Sequence, residues 1–173
     1  MSIIENRLYH DIKELLQSAR NRVYQTINST MTQTYYEIGK RIVEEEQGGK
    51  NRAEYGKALL RNLSNELSKE FGKGFSVDNL ENMRKFYLTF SISETGSRKF
   101  DLSWSHYIFL TRIENKDERN FYEIEASQNS WSLRELKRQF NSGLFERLAL
   151  SKDKSKVKEL STKGQIVQSI DDM

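Results

Sequence analysis

Two residue types are missing from this chain of 173 residues: it contains no cysteine and no proline. The absence of cysteine excludes disulfides, zinc–thiolate sites and cysteine nucleophiles, and it agrees with a reducing, cytoplasmic environment. At average usage about eight prolines would be expected. Because proline removes a backbone donor and interrupts helices, a chain without it is predicted to be mostly helical.

Long hydrophobic runs and a strong excess of one charge are missing as well. Charged residues make up 31% of the chain and the mean hydropathy is −0.79, and no segment approaches the roughly 20 apolar residues of a membrane span. The chain is therefore not expected in a membrane. With 28 basic and 25 acidic residues the net charge is only +3, so an anionic partner would have to meet a local basic patch.

The first 42 residues carry apolar side chains at steps of three and four, the spacing of one face of a helix. A straight helix of about 40 residues would be roughly 60 Å long, whereas a compact chain of this size is nearer 40 Å across. The helix must bend or project. Residues 28–34 are poor in helix formers and are the predicted bend; a projecting helix would instead pair with a second subunit, making a homo-oligomer. The stripe consists of Leu8, Ile12, Leu15, Leu16, Ala19, Val23 and Ile27, continued by Met31, Tyr35, Ile38 and Ile42.

Residues 53–90 have the pattern of a helix-turn-helix inside an all-α helical bundle that spans residues 1–150. A helix ends at Gly72, and Ser76 begins the next one as its N-cap. In a DNA-binding unit of this kind the second helix enters the major groove of double-stranded DNA. Packing within a bundle explains the same pattern. The residues predicted to reach the nucleic acid are Lys73, Asn82 and Lys85, although Asp78 and Glu81 share the solvent face. Arg84 lies at the edge of the apolar face and is predicted to form an internal ion pair.

Two further basic clusters lie later in the chain. Arg98 and Lys99 precede a Ser-Trp-Ser-His segment, and Arg134 and Arg138 lie one turn apart on a predicted helix whose N-terminus is a capping box. Residues 130–150 contain four basic and two acidic residues, whereas residues 114–125 contain two basic and five acidic ones. The charge is therefore polarised, and phosphate contacts are predicted at the basic end, although a basic stripe is most often a solvated face.

Ser103, Ser105 and His106 stand at the predicted start of another helix, where free backbone amides attract anions. One hypothesis is that the three side chains hold a phosphate group. The alternative is structural: a serine cap, and a buried histidine ring that satisfies a neighbouring group.

Catalytic patterns are weak. Glu135-Leu136-Lys137 has the acidic-x-Lys spacing of a PD-(D/E)xK nuclease, but it lies on a predicted helix without the strands that bring carboxylates together on magnesium. We find no glycine-rich phosphate loop, nucleophile elbow or metal-binding pair in the sequence. The chain is therefore predicted to be non-catalytic and to need no cofactor or metal.

Six segments occur in order within residues 8–150: 35–43, 53–56, 71–76, 83–87, 102–107 and 131–136. Together they resemble the N-terminal domain of the YhcG-like bacterial nuclease family. The resemblance implies a helical DNA-binding or interaction module that precedes a PD-(D/E)xK nuclease domain. Residues 151–173 lose the apolar periodicity and are predicted to be a linker or tail leading to a nuclease domain that this chain lacks. The expected function is DNA binding and targeting; the alternative is a protein-interaction or oligomerisation domain without nucleic-acid contact.

Overall fold

The structure, a computed structural model, describes residues 3–48, 52–91, 99–150, 159–160 and 162–164. Over these ranges the chain forms seven α-helices, one short 3-10 helix and no β-strand, which confirms the all-α prediction. None of the helices described there has the length and apolar character needed to cross a membrane. The helices are α1 (Ile3–Gly48), α2 (Arg52–Phe71), α3 (Val77–Phe90), α4 (Trp104–Leu110), α5 (Lys116–Gln128), α6 (Leu133–Asn141) and α7 (Leu144–Leu150), and the 3-10 helix is Lys73–Phe75.

Helix α1 runs through 46 residues without interruption, and residues 28–34 are helical throughout. At 1.5 Å per residue it is about 69 Å long. Its side chains from residue 6 to residue 28 are all exposed, and burial begins near Thr32. The Thr32 hydroxyl donates to the Leu102 carbonyl oxygen at 3.4 Å. The first half of α1 therefore projects from the helices that pack around its second half.

The second half of α1 packs most extensively against α3. The two helices approach closest at Gly39, where a Cβ atom would overlap the Met83 carbonyl group. Nearby, the Arg84 Nε donates to Glu46 Oε2 at 2.6 Å, and both side chains are largely covered. The prediction that Arg84 forms an internal ion pair is confirmed.

The core has two parts. Ile42, Leu60, Leu80 and Met83 form a small cluster among α1, α2 and α3. A larger, aromatic cluster continues from Phe86 toward α7 and includes Phe100 and Tyr107, whose rings lie 4.8 Å and 5.0 Å from that of Phe86. The helical spacing of Leu80, Met83, Tyr87 and Phe90 predicts that Tyr87 points inward. In the structure Phe86 is fully buried instead, and Tyr87 is half-buried.

The C-terminal helices are shorter than the periodicity predicts. The apolar spacing of Leu133, Leu136, Phe140, Leu144 and Leu148 predicts one helix that begins at the Ser132 cap and continues to Leu148. In the structure Gly143, with φ of 64°, separates α6 from α7. The predicted cap at the start of α6 is confirmed, because the Ser132 hydroxyl accepts a hydrogen bond from the Glu135 backbone N–H at 3.2 Å.

The few residues described beyond Leu150 contact the helical domain. Leu160 is 2% exposed and belongs to the larger core cluster, and the Gln128 side-chain amide donates to the Lys163 carbonyl oxygen at 3.5 Å. The division of the chain at residue 150 stays a prediction, but part of the predicted tail packs on the core.

Candidate nucleic-acid interface

The predicted helix-turn-helix segment consists of α2, the 3-10 helix and α3. Ser76 caps α3, since its hydroxyl accepts a hydrogen bond from the Asn79 backbone N–H at 3.3 Å. The Asn79 side chain donates to the Gly74 carbonyl oxygen at 2.5 Å and accepts from Trp104 Nε1 at 3.0 Å. The Asn79 side chain therefore links the turn to α4 as well as to its own helices, which is a packing role within the bundle.

The exposed side of α3 carries balanced charges. Lys85 is exposed and lies 3.6 Å from Glu81, and Asp78 is exposed one turn earlier. Asn82 is half-buried, and Lys73 is exposed in the turn before the helix. Two cations thus share this surface with two carboxylates, which repel a phosphate backbone.

The side chains at the start of α4 bond to protein groups. His106 is 8% exposed; its Nε2 lies 3.0 Å from the Trp131 carbonyl oxygen and its Nδ1 lies 2.6 Å from the Ser103 hydroxyl. A carbonyl oxygen only accepts, so we assign the ring proton to Nε2, and Nδ1 then accepts from the Ser103 hydroxyl.

This arrangement leaves two of the three predicted phosphate ligands without a free donor. Burial lowers the pKa of His106, against the opposing effect of its bond to Trp131, and so favours the neutral ring. A phosphate group offers only acceptors at neutral pH, whereas Ser103 and His106 already donate to protein atoms. Ser105 is exposed. The buried and bonded ring of His106 corresponds to the structural alternative. The serine cap of that alternative is not formed, because the Ser103 hydroxyl bonds to His106 Nδ1 and makes no capping hydrogen bond to a backbone N–H of α4.

Lys99 lies at the edge of an open polar groove between the middle of α1 and the start of α4. The groove is also lined by Ser103 and His106, together with Asp101 and Asn28. Among the described residues, its lining includes one lysine and one carboxylate, so the charges of this described lining balance. Arg98, predicted to act with Lys99, lies outside the described residues.

A contiguous basic surface occurs on α6. We define the α6 basic face as Arg134, Lys137, Arg138 and Asn141, which are all exposed. Their spacing of three, four and seven residues places them on one side of the helix, and Leu136 on the other side is fully buried. The arrangement holds the basic side chains in solvent on a helix that is fixed to the core.

The cations of this face differ in their partners. Arg138 donates through Nε and Nη2 to both carboxylate oxygens of Glu135, at 2.9 Å and 2.6 Å. Arg134 has no ion-pair partner among the residues that the structure describes. The Lys137 Nζ lies 5.9 Å from the centre of the Phe109 ring. The Arg147 Nη2 donates weakly to the Ser142 hydroxyl at 3.5 Å, which adds a fourth cation beside the face.

Helices α5 and α6 follow each other with a short turn between them, and the sequence reasoning did not consider them as a pair. Four residues, 129–132, join them, and Ser130 has a φ of 52° in this turn. A turn of this length is typical of helix-turn-helix units. The signal was present in the sequence, because the Ser132 capping box marks the start of α6 and the basic residues follow at helical spacing.

The predicted contact residues therefore lie in three places. Lys73, Asn82 and Lys85 belong to the turn and helix α3, while Lys99, Ser103 and His106 line the polar groove. Arg134 and Arg138 meet in a shallow depression on α6. In the part of the chain covered by the structure, no group of three or more acidic or histidine side chains is arranged to hold a metal ion.

Residues 11–147 match the model of the DUF1016 N-terminal domain. The chain belongs to this family. It is also 38% identical over 179 aligned residues to an Escherichia coli (strain K12) protein named "Putative nuclease YhcG", and the match covers 86% of this chain and 48% of that relative. The chain thus spans about half the length of the curated relative it matches. No solved structure matches it.

These matches confirm the resemblance predicted from the sequence motifs. Every segment that carries it, from Tyr35 to Leu136, falls inside the matched DUF1016 region. Residues 11–147 therefore belong to the helical, nuclease-associated N-terminal domain of this family.

Proposed function

We propose that this domain binds double-stranded DNA through the α6 basic face. The observation that carries the proposal is the row of exposed cations on α6, with the buried Leu136 behind it. By comparison, the exposed side of α3 pairs its lysine with Glu81 and adds the carboxylate of Asp78. A surface with an excess of cations attracts the phosphate backbone and releases its counterions on binding.

The side chains of the face suit both parts of a DNA duplex. Guanidinium groups bind phosphates or the guanine edge with two parallel hydrogen bonds, and an asparagine amide pairs in the same way with adenine. Arg134, Arg138 and Asn141 supply these groups on one helix. The helix is about 14 Å long, enough for a short contact within one groove.

The ion pair between Arg138 and Glu135 does not prevent this role. The Arg138 side chain is 71% exposed, and exposed pairs between neighbouring turns contribute at most about 1 kcal/mol. A phosphate group can therefore replace Glu135 as the partner of the guanidinium at little cost.

The similarity to a protein named as a nuclease indicates how DNA binding by this domain would be used. The relative that shares the domain is named as a nuclease and is about twice as long as the matched region. We propose that the helical domain holds DNA so that a separate catalytic domain can act on it, and that the helical domain itself contributes no catalytic group.

The test compares two variants with equal loss of charge. Arg134→Ala/Arg138→Ala removes two cations from α6, and Lys73→Ala/Lys85→Ala removes two from the turn and α3. Affinity for a 25-base-pair duplex is measured by fluorescence anisotropy between 50 and 200 mM salt, with circular dichroism as a check on folding. With four cations at the interface, the slope of log affinity against log salt is expected near about −3 to −4.

The α6 variant should bind roughly ten to thirty times more weakly at 150 mM salt, and its slope should be about 2 units shallower. The Lys73→Ala/Lys85→Ala variant should stay within about threefold of the wild type. If the α3 variant loses affinity and the α6 variant does not, the proposed interface is wrong. If the wild type does not bind duplex DNA at 50 mM salt, the proposed function is wrong.

A second function, protein interaction without nucleic-acid contact, is favoured by a different observation. The first half of α1 exposes apolar side chains along its length, a surface that suits another protein. The two functions use separate surfaces, so the same DNA titration separates them: an interaction domain shows no DNA binding and no effect of the α6 substitutions.

A further inference from the structure

The buried side of α1 becomes polar where the helix leaves the core. At 100° per residue, Gln25, Asn28 and Ser29 lie within about 60° of Thr32 around the helix, and Thr32 is fully buried. After Thr32 this side of α1 packs on the rest of the domain. Before Thr32 the three polar side chains line the polar groove instead. Helix α1 therefore supplies one wall of the groove.

The floor and the opposite wall of the groove are held rigidly by the core. Its most buried lining residues are Leu102, His106 and Ala126, none of them more than 8% exposed. Trp131 lines the groove and is half-buried. Its backbone N–H donates to the Ala126 carbonyl oxygen at 2.9 Å, and its carbonyl oxygen accepts from His106 Nε2 at 3.0 Å. The groove has a volume of about 760 Å³, within the range of about 300 to 1,000 Å³ typical of small-molecule sites.

The walls carry hydrogen-bonding groups that the fold does not use. The side chains of Gln25, Asn28 and Ser29 make no hydrogen bond to any residue that the structure describes. The same is true of the Trp131 indole N–H within the described ranges. Each amide side chain offers both donors and an acceptor. Since Lys99 and Asp101 balance in charge, the groove suits an uncharged polar ligand better than a phosphate group.

A nucleobase has the chemistry that these groups recognise. An asparagine or glutamine amide pairs with adenine through two parallel hydrogen bonds, and a tryptophan ring stacks on any base. Bases within a duplex are paired and stacked on each other, so a base in the groove must be unpaired. The α6 basic face begins at Arg134, three residues after Trp131. The phosphates beside an unpaired base therefore lie near cations that are outside the groove.

We propose that the polar groove binds an unpaired base, adenine in the first place, of a DNA strand whose phosphates contact the α6 basic face. Gln25 and Asn28 hydrogen-bond to the edge of the base, and Trp131 stacks on its ring. This inference rests on the proposed function, because α6 must hold the strand. It adds a preference: DNA with an unpaired base uses the groove and α6 together, whereas a perfect duplex uses α6 alone.

The test uses three 25-base-pair duplexes that differ only at the centre. The first is perfectly paired, the second has one additional, unpaired adenine, and in the third an abasic site replaces that adenine. The abasic site keeps the extra backbone unit and removes the base. Affinity for the full chain is measured by fluorescence anisotropy at 150 mM salt. The duplex with the unpaired adenine should bind roughly tenfold more tightly than the perfect duplex, and the abasic duplex should show no such gain.

A pair of amide substitutions tests the residues. Gln25→Ala/Asn28→Ala should abolish the gain from the unpaired adenine and leave the affinity for the perfect duplex within about twofold. The matched control is Asn62→Ala/Asn65→Ala, which removes two exposed amides, also three residues apart, from α2; this variant should keep the gain. Equal binding of the unpaired and perfect duplexes, or a gain that survives Gln25→Ala/Asn28→Ala, overturns the proposal.

Tryptophan fluorescence reads the stacking directly. The chain has two tryptophans, so Trp104→Phe leaves Trp131 as the single one, with circular dichroism as a check on folding. The duplex with the unpaired adenine should quench Trp131 more strongly than the abasic duplex. Equal quenching by the two contradicts the proposal.

The same measurements separate this inference from the proposed function. Binding of the perfect duplex that depends on Arg134 and Arg138, without a gain from the unpaired adenine, overturns the groove site and leaves DNA binding by α6 in place. A chain that binds none of the three duplexes at 50 mM salt contradicts both.

Discussion

Arg138 holds Glu135 with two hydrogen bonds, of 2.6 Å and 2.9 Å, on the outer side of α6. Glu135 also accepts from the Gln139 side-chain amide at 2.8 Å. The hydrogen bonds from Arg138 and then Gln139 lower the pKa of Glu135 below its ordinary value, so the carboxylate is charged at neutral pH. Among the described residues that line the depression on α6, Glu135 is the only acidic one. Under the proposed function it competes with DNA for Arg138.

Replacing Glu135 should therefore strengthen DNA binding. Glu135→Gln frees Arg138 and removes one repulsive charge, while glutamine still suits the third position of a capping box. We expect an affinity about twofold to fivefold higher at 150 mM salt, measured by anisotropy. Glu81→Gln on α3 is the matched control, since it frees Lys85 in the same way. A gain with Glu81→Gln and none with Glu135→Gln would place the interface on α3.

The close approach of α1 and α3 predicts that the substitution Gly39→Ala strongly destabilises the folded protein. A methyl group at residue 39 would overlap the backbone carbonyl of Met83, which cannot move without shifting α3. Gly39→Ala should lower the free energy of unfolding by about 3 kcal/mol or more, measured by urea denaturation. Gly48→Ala adds the same group where nothing lies within 4 Å, and it should be neutral or slightly stabilising. Equal stabilities of the two variants would contradict the close packing.

His106 predicts loss of stability on mild acidification. Its pKa is lowered in the folded state, so the unfolded chain binds the proton more readily. The stability that this residue contributes is therefore complete above about pH 6.5 and declines as the pH falls below that value. At pH 7.5 the wild type should be more stable to unfolding than His106→Gln, and this difference in unfolding free energy should become smaller as the pH is lowered to 5.5. His10→Gln, at the exposed histidine on α1, should keep the wild-type profile; a constant difference for His106→Gln would contradict the assignment.

Glu118 predicts the opposite dependence on pH. Burial first, and then the nearby charge of Glu146, raises the pKa of Glu118, and its buried Oε1 has no hydrogen-bond donor among the described residues. Its contribution to stability is present at low pH and is lost as the pH rises through the raised pKa. Glu118→Gln should be up to about 1 kcal/mol more stable than wild type at pH 7.5, and the gain should shrink toward pH 4.

A variant of the neighbouring Asp117 separates the repulsion between Glu118 and Glu146 from the effect of the helix dipole. Asp117 is exposed in the same first turn of α5, where negative charge is favourable. Asp117→Asn should therefore be slightly less stable than wild type in the same urea titrations. If Asp117→Asn and Glu118→Gln gain the same stability, the gain of Glu118→Gln does not come from removing its repulsion with Glu146.

Local patterns predicted much of the fold. The lack of proline indicated an all-α chain, and short-range signals located the caps at Ser76 and Ser132. Such features depend on residues within one turn of each other. The position of Arg84 at the edge of an apolar face was sufficient to predict its ion pair, since a guanidinium there must find a carboxylate.

Features that depend on distant residues were not predictable. The apolar spacing continues through Leu144 and Leu148, so only the positive φ of Gly143 reveals the break between α6 and α7. Phe100 follows a polar segment and shows no periodicity, yet it is 1% exposed in the aromatic cluster. The role of His106 depends on the carbonyl of Trp131, which lies 25 residues away.

The most direct test of the central claim is lysine acetylation with and without a DNA duplex, read by mass spectrometry. Lys137 is the lysine of the α6 basic face, whereas Lys73 and Lys85 mark the turn and α3; all three are exposed. DNA bound to α6 should protect Lys137 and leave Lys73 and Lys85 reactive. Protection of Lys73 and Lys85 with an unchanged Lys137 would contradict the account.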